Sequence, residues 1–361
     1  MKIMHICGAR PNFMKIAPLM RAARAHASIE PMLVHTGQHY DERMSDLFFR
    51  QLDIPAPDLN LEVGSGSHAR QTADIMSRFE PVLLEHRPHW IVVVGDVNST
   101  IACALVAAKL GVRVAHVEAG LRSFDRSMPE EINRILTDAI SDLLFVSEPS
   151  GVENLRGEGV PESKIHLVGN VMIDTLLANR AKAETSDIVA SFGLVPRGYA
   201  LVTLHRPSNV DEPGVFSGIL DALAIIQQEM PVVFPIHPRT RANLTRLGLA
   251  SRVAGLTGLR LIDPVGYIEF LKLTSEAAVV LTDSGGIQEE TTILGVPCLT
   301  LRENTERPIT IEQGTNHLVG VNSDRIIATW RSSRAEHRAP KQPPLWDGFA
   351  ANRIVKILAD A

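Results

Sequence analysis

Short apolar runs recur along the chain without alternating with polar residues: KIMHIC, PMLVH, WIVVV, VRVAHV, LLFV and IHLV, then YALVTL, PVVFPI, LRLI, AVVLT, PCLTL and HLVGV. A strand with one wet face alternates, whereas short unbroken runs rich in Val, Ile and Leu are strands covered on both faces. Between the runs lie segments of helical periodicity with recognisable ends. In NSTIACALVAAKLG, Asn98 or Ser99 is placed to cap the start and Gly111 to stop the helix. This alternation predicts βα units and parallel sheets, an α/β fold.

With 361 residues, 45% of them hydrophobic, the chain is longer than one core usually grows, so two domains are expected. The runs fall into two groups of six, divided by the mostly helical stretch VMIDTLLANRAKAETSDIVASFGLVPRG. That division gives a first domain over 1–175 and a second over 176–344. A terminal segment over 345–361 closes the proline-containing connector RAEHRAPKQPPLW, and within it DGFAANRIVKILADA reads as a final helix capped by Asp347.

Composition narrows the partners. With 36 basic and 41 acidic side chains, a formal charge of -5 gives no electrostatic reason to expect nucleic acid or an anionic membrane. Cys7, Cys103 and Cys298 sit in apolar contexts without a CxxC pair, the pattern of buried thiols in a reducing compartment rather than disulfides or structural zinc. The N-terminus lacks the apolar stretch of a signal peptide and no eighteen apolar residues run together, so a soluble cytoplasmic protein is expected.

Ligands of open parallel sheets bind beyond the carboxyl ends of the strands. Those ends carry the unusual residues here: Arg10, Asp96, Glu118, His205, His237 and the run Asp283-Ser284-Gly285-Gly286. Six polar strand ends from two sheets point to one cleft between two doubly wound domains. In DSGGIQEE, the glycines and a helix N-terminus make a phosphate cradle, with Ser284 adding a donor and Glu290 able to accept from a ribose diol; an ordinary Ser/Gly turn fits the same letters. Arg10 and Lys15 in GARPNFMK surround the first loop, where an arginine fork suits pyrophosphate or simply decorates a turn. No strand-to-helix turn carries GxGxxG, which argues against a nicotinamide cofactor.

Asp96, Glu118 and Glu130 are three carboxylates that the fold brings towards one place, an arrangement that supplies both an acid and a base at neutral pH. Asp96 could instead cap a helix. Ser127-x-x-Glu130 matches a capping box, and Glu130 and Arg134 are spaced as a surface pair. Glu118, at the end of so apolar a strand, needs a partner. His205 and His237 each follow a strand beside arginine and could shuttle a proton near a phosphate. His35 and His39 lack a third ligand, so a metal is not expected.

GARPNFMK, TGQHYDERMSDLFF, GSGSHARQT, VVVGDVNST, HVEAGLRSF, MPEEINR, TLHRPSNV, PIHPRTR, DSGGIQEE and ENTERP, in that order, resemble the UDP-N-acetylglucosamine 2-epimerases of the non-hydrolysing type over residues 1 to about 322. The resemblance implies the glycosyltransferase-B fold, two Rossmann-like domains with a UDP-sugar in the central cleft and a last helix that packs back on the first domain. It makes Asp96, Glu118 and Glu130 the catalytic carboxylates and His205 the catalytic histidine. Arg10, Ser284, Gly285, Gly286 and Glu290 match positions that hold UDP; Arg134, His237 and Arg307 match other polar residues of the cleft. Gln38, Arg70, Gln71 and Arg206 resemble parts of a site for a second UDP-N-acetylglucosamine acting as activator. A homodimer and no cofactor are implied.

The family reaction inverts carbon 2 of the sugar, breaking the bond from carbon 1 to UDP, removing the carbon 2 proton to give a 2-acetamidoglucal, and re-adding both, to make precursors of surface polysaccharide. Carboxylates would stabilise the developing ring charge and take the proton, while arginines and a helix N-terminus hold the departing diphosphate. A hydrolysing epimerase would use nearly the same residues. A glycosyltransferase of the same fold would not explain the three carboxylates, and a non-catalytic binding module would suffer their repulsion of the diphosphate.

Overall fold

The computed structural model of the chain describes residues 1–38, 42–335 and 341–361, with the side chains of 10–11, 42–46 and 334–335 excepted. Two compact units emerge: Met1–Ala178 with Pro344–Ala361, and Asn179–Pro343.

The first unit runs β1 (Lys2–Cys7), α1 (Arg10–Ala25), β2 (Glu30–His35), α2 (Glu42–Gln51), β3 (Leu59–Asn60), α3 (His68–His86), β4 (Trp90–Val94), α4 (Asn98–Lys109), β5 (Arg113–Ala119), α5 (Pro129–Ile140), β6 (Leu143–Val146), α6 (Pro149–Gly157), β7 (Ile165–Leu167) and the start of α7 (Val171–Glu184). Its strands form a parallel sheet in the order β3-β2-β1-β4-β5-β6-β7. All six apolar runs of this half are strands. The seventh, β3, is a two-residue edge pairing with β2 whose polar LN has no strand signal. The central strands are buried throughout; β4 is wholly inaccessible or nearly so.

The second unit contains α8 (Ile188–Ser191), β8 (Ala200–Thr203), α9 (Pro207–Val210), α10 (Pro213–Glu229), β9 (Val232–Pro235), α11 (Pro238–Arg246), α12 (Ala250–Ala254), β10 (Leu259–Ile262), α13 (Tyr267–Ser275), β11 (Val279–Thr282), α14 (Gly285–Leu294), β12 (Cys298–Thr300), α15 (Ile309–Glu312), β13 (Asn316–Leu318) and α16 (Ser323–Ala335). Its parallel order is β10-β9-β8-β11-β12-β13. Successive residues feed opposite faces, as the period of two demands: Ala200 and Val202 join one core with Phe216 and Trp330, Tyr199 and Leu201 another with Leu273 and Val296.

In each sheet the chain order reverses beside the first strand, at β1/β4 and at β8/β11. That is where a doubly wound sheet opens a crevice beyond its carboxyl ends. Asp96 follows β4, and His205 and Asp283 follow β8 and β11.

The chain closes with α17 (Ala350–Asp360), which packs on α1. Its cap differs from the expected one. Asp347 accepts from Phe349 N–H at 3.1 Å and from Arg353, whereas Ala350 and Ala351 N–H donate to Asp174 of α7 at 3.1 and 2.7 Å. Trp346, fully buried, donates to the Ser147 carbonyl at 2.9 Å. Nor do Asn98 or Ser99 cap α4: its N-cap is Val97, without a side-chain bond, and both polar side chains turn inward. Among the described residues no helix is long and apolar enough to cross a membrane.

Candidate active site

In the first unit the carboxylates gather where β4 and β5 end. Glu118 has φ +74, in the left-handed region, and the β5–β6 register shifts between Val117 and Ala119. A β-bulge with a non-glycine in that conformation costs about 1–2 kcal/mol and re-aims the side chain. Here it turns Glu118 onto Lys15 of α1, the partner the sequence demanded; both are buried. Gly95, at φ +67, sits against this ion pair. A Cβ there would lie 2.7 Å from Lys15 Nζ and 3.2 Å from Glu118 Oε2, so any other residue must displace the pair as well as adopt a left-handed backbone.

Asp96 does not cap α4. It pairs with Arg134 of α5. Arg134, buried, also donates to Glu131 through Nε at 3.0 Å and Nη2 at 2.7 Å. Glu131 accepts three more bonds, from Ser123 N, Ser123 Oγ and Phe124 N, at 2.8–3.0 Å. Burial works against its charge, but these donors overcome it and hold the carboxyl below its usual range. The capping box expected from Ser127 and Glu130 does not form: Met128 is the N-cap of α5, and Ser127 turns back to Asp125 at 2.6 Å. Of the adjacent glutamates, Glu131 is thus the interior brace. Glu130 is half-buried and makes no hydrogen bond or ion pair among the described residues. The side chain of Arg10 lies outside the described residues, as does His39.

In the second unit His205 stands nearly half-exposed over buried Asp283, with Nδ1 2.9 Å from Asp283 Oδ1. Asp283 also accepts from the backbone N–H of His205 and Arg206. Burial opposes its charge; the ring and these amides outweigh that and lower its pKa. The ring is thus held through Nδ1 while nearly half of the side chain stays exposed. His237 is exposed and caps α11, accepting from Arg239 N at 3.2 Å, with its ring 6.3 Å from that of His205.

Ser284 is the N-cap of α14, with Gly285 and Gly286 in its first turn. Gly285 lies hard against Arg307 and Glu306: an added Cβ would be 2.5 Å from Arg307 Nη1. Arg307 bridges Glu306 and Glu289, and Arg302 adds a second buried cation to Glu306. Glu290 lies in the second turn of α14. Burial raises its pKa to about 7 although Tyr267, donating at 3.1 Å, opposes the rise. Its Oε2 is buried without a hydrogen-bond partner among the described residues, an acceptor available to a hydroxyl pair.

Of the residues assigned to an activator site, Gln71 is buried and spends its amide internally, on the Gln38 and Gly64 carbonyls and on Asn98 Nδ2. Gln38 Oε1 accepts from Ser99 N and Oγ. Arg70 is exposed near Asp74, and Arg206 Nε donates to the Asp283 carbonyl at 3.0 Å. Sequence reasoning passed over His116, Asp138, Tyr267 and Glu306, and set Glu131 aside in favour of Glu130. A histidine inside the apolar run VRVAHV was the one available signal, since such a ring needs partners. Among the described residues no group of three His, Cys, Asp or Glu side chains could hold a metal ion.

The family model described as UDP-N-acetylglucosamine 2-epimerase matches residues 21–359. The chain is 44% identical over 365 residues to the UDP-N-acetylglucosamine 2-epimerase of Methanocaldococcus jannaschii, covering 99% of both. It is 44% identical over 363 residues, again 99% of both, to the UDP-2,3-diacetamido-2,3-dideoxy-D-glucuronate 2-epimerase of Pseudomonas aeruginosa. The crystal structure of the M. jannaschii enzyme in complex with UDP-GlcNAc and UDP superimposes with a TM-score of 0.95 over 100% of both chains. Parallel sheets with polar residues at their switch points, a glycine turn opening α14, and relatives matched over their full length lead to one conclusion: the chain belongs to the UDP-N-acetylglucosamine 2-epimerase family, a family of isomerases.

Proposed function

We propose that the protein interconverts UDP-N-acetylglucosamine and UDP-N-acetylmannosamine by inversion at carbon 2, through elimination and re-addition of UDP. The observation that carries this reading is the bulge that bends Glu118 into a strained conformation against Gly95, the residue before Asp96, strain of the kind that clusters at active sites. Carbon 2 is weakly acidic, so the bond from carbon 1 to UDP must loosen first and leave positive charge on the ring. Asp96, Glu118 and Glu130 stabilise that charge and exchange the carbon 2 proton. His205, oriented by Asp283, donates to the departing diphosphate. Arg10, Lys15 and Arg134 add positive charge; Ser284, Gly285, Gly286 and Arg307 hold the diphosphate and Glu290 the ribose.

The equal identity to the Pseudomonas relative supports a second substrate, a UDP-linked 2,3-diacetamido uronate, on which the same chemistry would run. Proton NMR in heavy water decides. UDP-N-acetylmannosamine bearing deuterium at carbon 2 is expected from UDP-N-acetylglucosamine. Free N-acetylmannosamine plus UDP would mean a hydrolysing enzyme, and turnover of the uronate alone would move the substrate.

A further inference from the structure

His116 lies on β5 two residues before Glu118 and is fully buried. Its Nδ1 faces Asp138 Oδ1 at 2.6 Å and its Nε2 faces the Gly95 carbonyl at 2.8 Å. A carboxylate and a carbonyl both accept, so the ring meets both only when each nitrogen carries a proton, as an imidazolium. Asp138, on α5, accepts through its other oxygen from Gly120 N at 3.0 Å and pairs there with Arg122 at 2.8 Å; Arg122 is held in turn by Glu158. Two cations and two carboxylates balance, with His116, Asp138 and Arg122 buried and Glu158 exposed at the rim, so the buried charges are compensated. Burial works against the charge on Asp138, but His116 and Arg122 outweigh it and lower its pKa.

The partners of this pair are backbone groups next to the reacting carboxylates. Gly95 precedes Asp96, and its N–H also donates to the Val117 carbonyl at 3.0 Å. Gly120 follows Glu118 by two residues, and α5 carries Glu130 and Arg134. We propose that His116 and Asp138 are positioning residues: an ionic clamp that fixes the Gly95–Asp96 turn, the strained Glu118 and the start of α5 in mutual register for the carbon 2 chemistry. A buried ion pair could be replaced by apolar packing if stability were its only service. Here the bonds from the pair to Gly95 and Gly120 end at the segments bearing Asp96 and Glu118. The proposal rests on the functional reading above.

Two variants dissect the clamp. In His116→Asn the amide reaches as far as Nδ1 and keeps only the bond to Asp138; in His116→Gln it reaches Nε2 and keeps the bond to Gly95. The broken buried pair should lower the melting temperature, but in protein that remains folded and binds UDP with near-unaltered affinity, kcat on UDP-N-acetylglucosamine should fall about 10²-fold in His116→Asn, the penalty of a misplacement near 1 Å. KM should change little, and His116→Gln should recover much of the loss. Unaltered kcat in both folded variants would overturn the proposal. Should His116→Asn not fold, the Gln variant and a second measurement carry the test. In the unaltered protein with ¹⁵N-labelled histidine, one ring should show both of its nitrogens in hydrogen bonds protected from exchange; absence of such a ring also overturns the clamp. Lack of turnover of either UDP-sugar by the unaltered protein would instead sink the functional reading, and the labelled-histidine spectrum would still judge the clamp.

Discussion

Asp283 accepts the backbone N–H of His205 at 3.0 Å and faces Nδ1 of the same residue's ring at 2.9 Å. One buried carboxylate therefore sets both the chain direction and the ring orientation of the histidine. Neutral Asn at 283 would no longer fix a proton on Nδ1. Asp283→Asn should lower kcat by about 10²- to 10⁴-fold, the usual worth of a positioned acid or base, while the protein remains folded. Stopped assays alongside circular dichroism check this; near-normal kcat would remove His205 from the proton path.

Glu130 and Glu131 are neighbours with opposite duties. Glu131→Gln strips the charge from a carboxylate holding Arg134 and three other donors. It should cost about 3–5 kcal/mol, as for a broken buried pair, seen as a lowered denaturation midpoint. Glu130→Gln should leave that midpoint unchanged and reduce turnover by about 10²-fold or more. Equal stability losses in the two variants would contradict this division.

Glu290 carries a pH dependence. Its pKa is raised to about 7 against an ordinary 4.5, burial being the main cause. The folded protein therefore binds more protons here than the unfolded chain between those values, so this group's stabilising contribution is complete below 4.5 and is lost as pH rises through about 7. A ribose diol donates to the ionised form, so binding should release a proton and affinity should rise from pH 6 to pH 8. Calorimetry with UDP-N-acetylglucosamine, in buffers of different ionisation enthalpy, measures both. Glu290→Gln should flatten the profile, and an unchanged slope would assign the effect elsewhere.

Gly95→Ala tests how tightly the first site is packed. The new methyl group would meet the Lys15–Glu118 pair at a positive φ. A stability loss of about 1–2 kcal/mol from the backbone alone is expected, with a larger loss of kcat as the ion pair shifts. Unaltered kinetics would show that the pair has room to move.

The sequence by itself determined the architecture. Unbroken apolar runs admit only strands covered on both faces, and the polar residue at the end of each run marked the mouths where Asp96, Glu118, His205 and Asp283 now stand. That information is local, because burial on both faces is written into every strand. The wiring of the sites was decided by tertiary structure. Asn98 looked like a cap and became an interior partner of Gln71; α17 is capped by Asp174, 176 residues away from Ala350. Whether Glu130 or Glu131 is the brace depends on how α5 meets β4 and β5, which a pair of adjacent identical letters cannot express. The strain at Glu118 and the double contact of His116 are likewise properties of chain segments brought together from a distance. A hydrogen bond depends on position in space, and sequence spacing specifies position only within a single helix or strand.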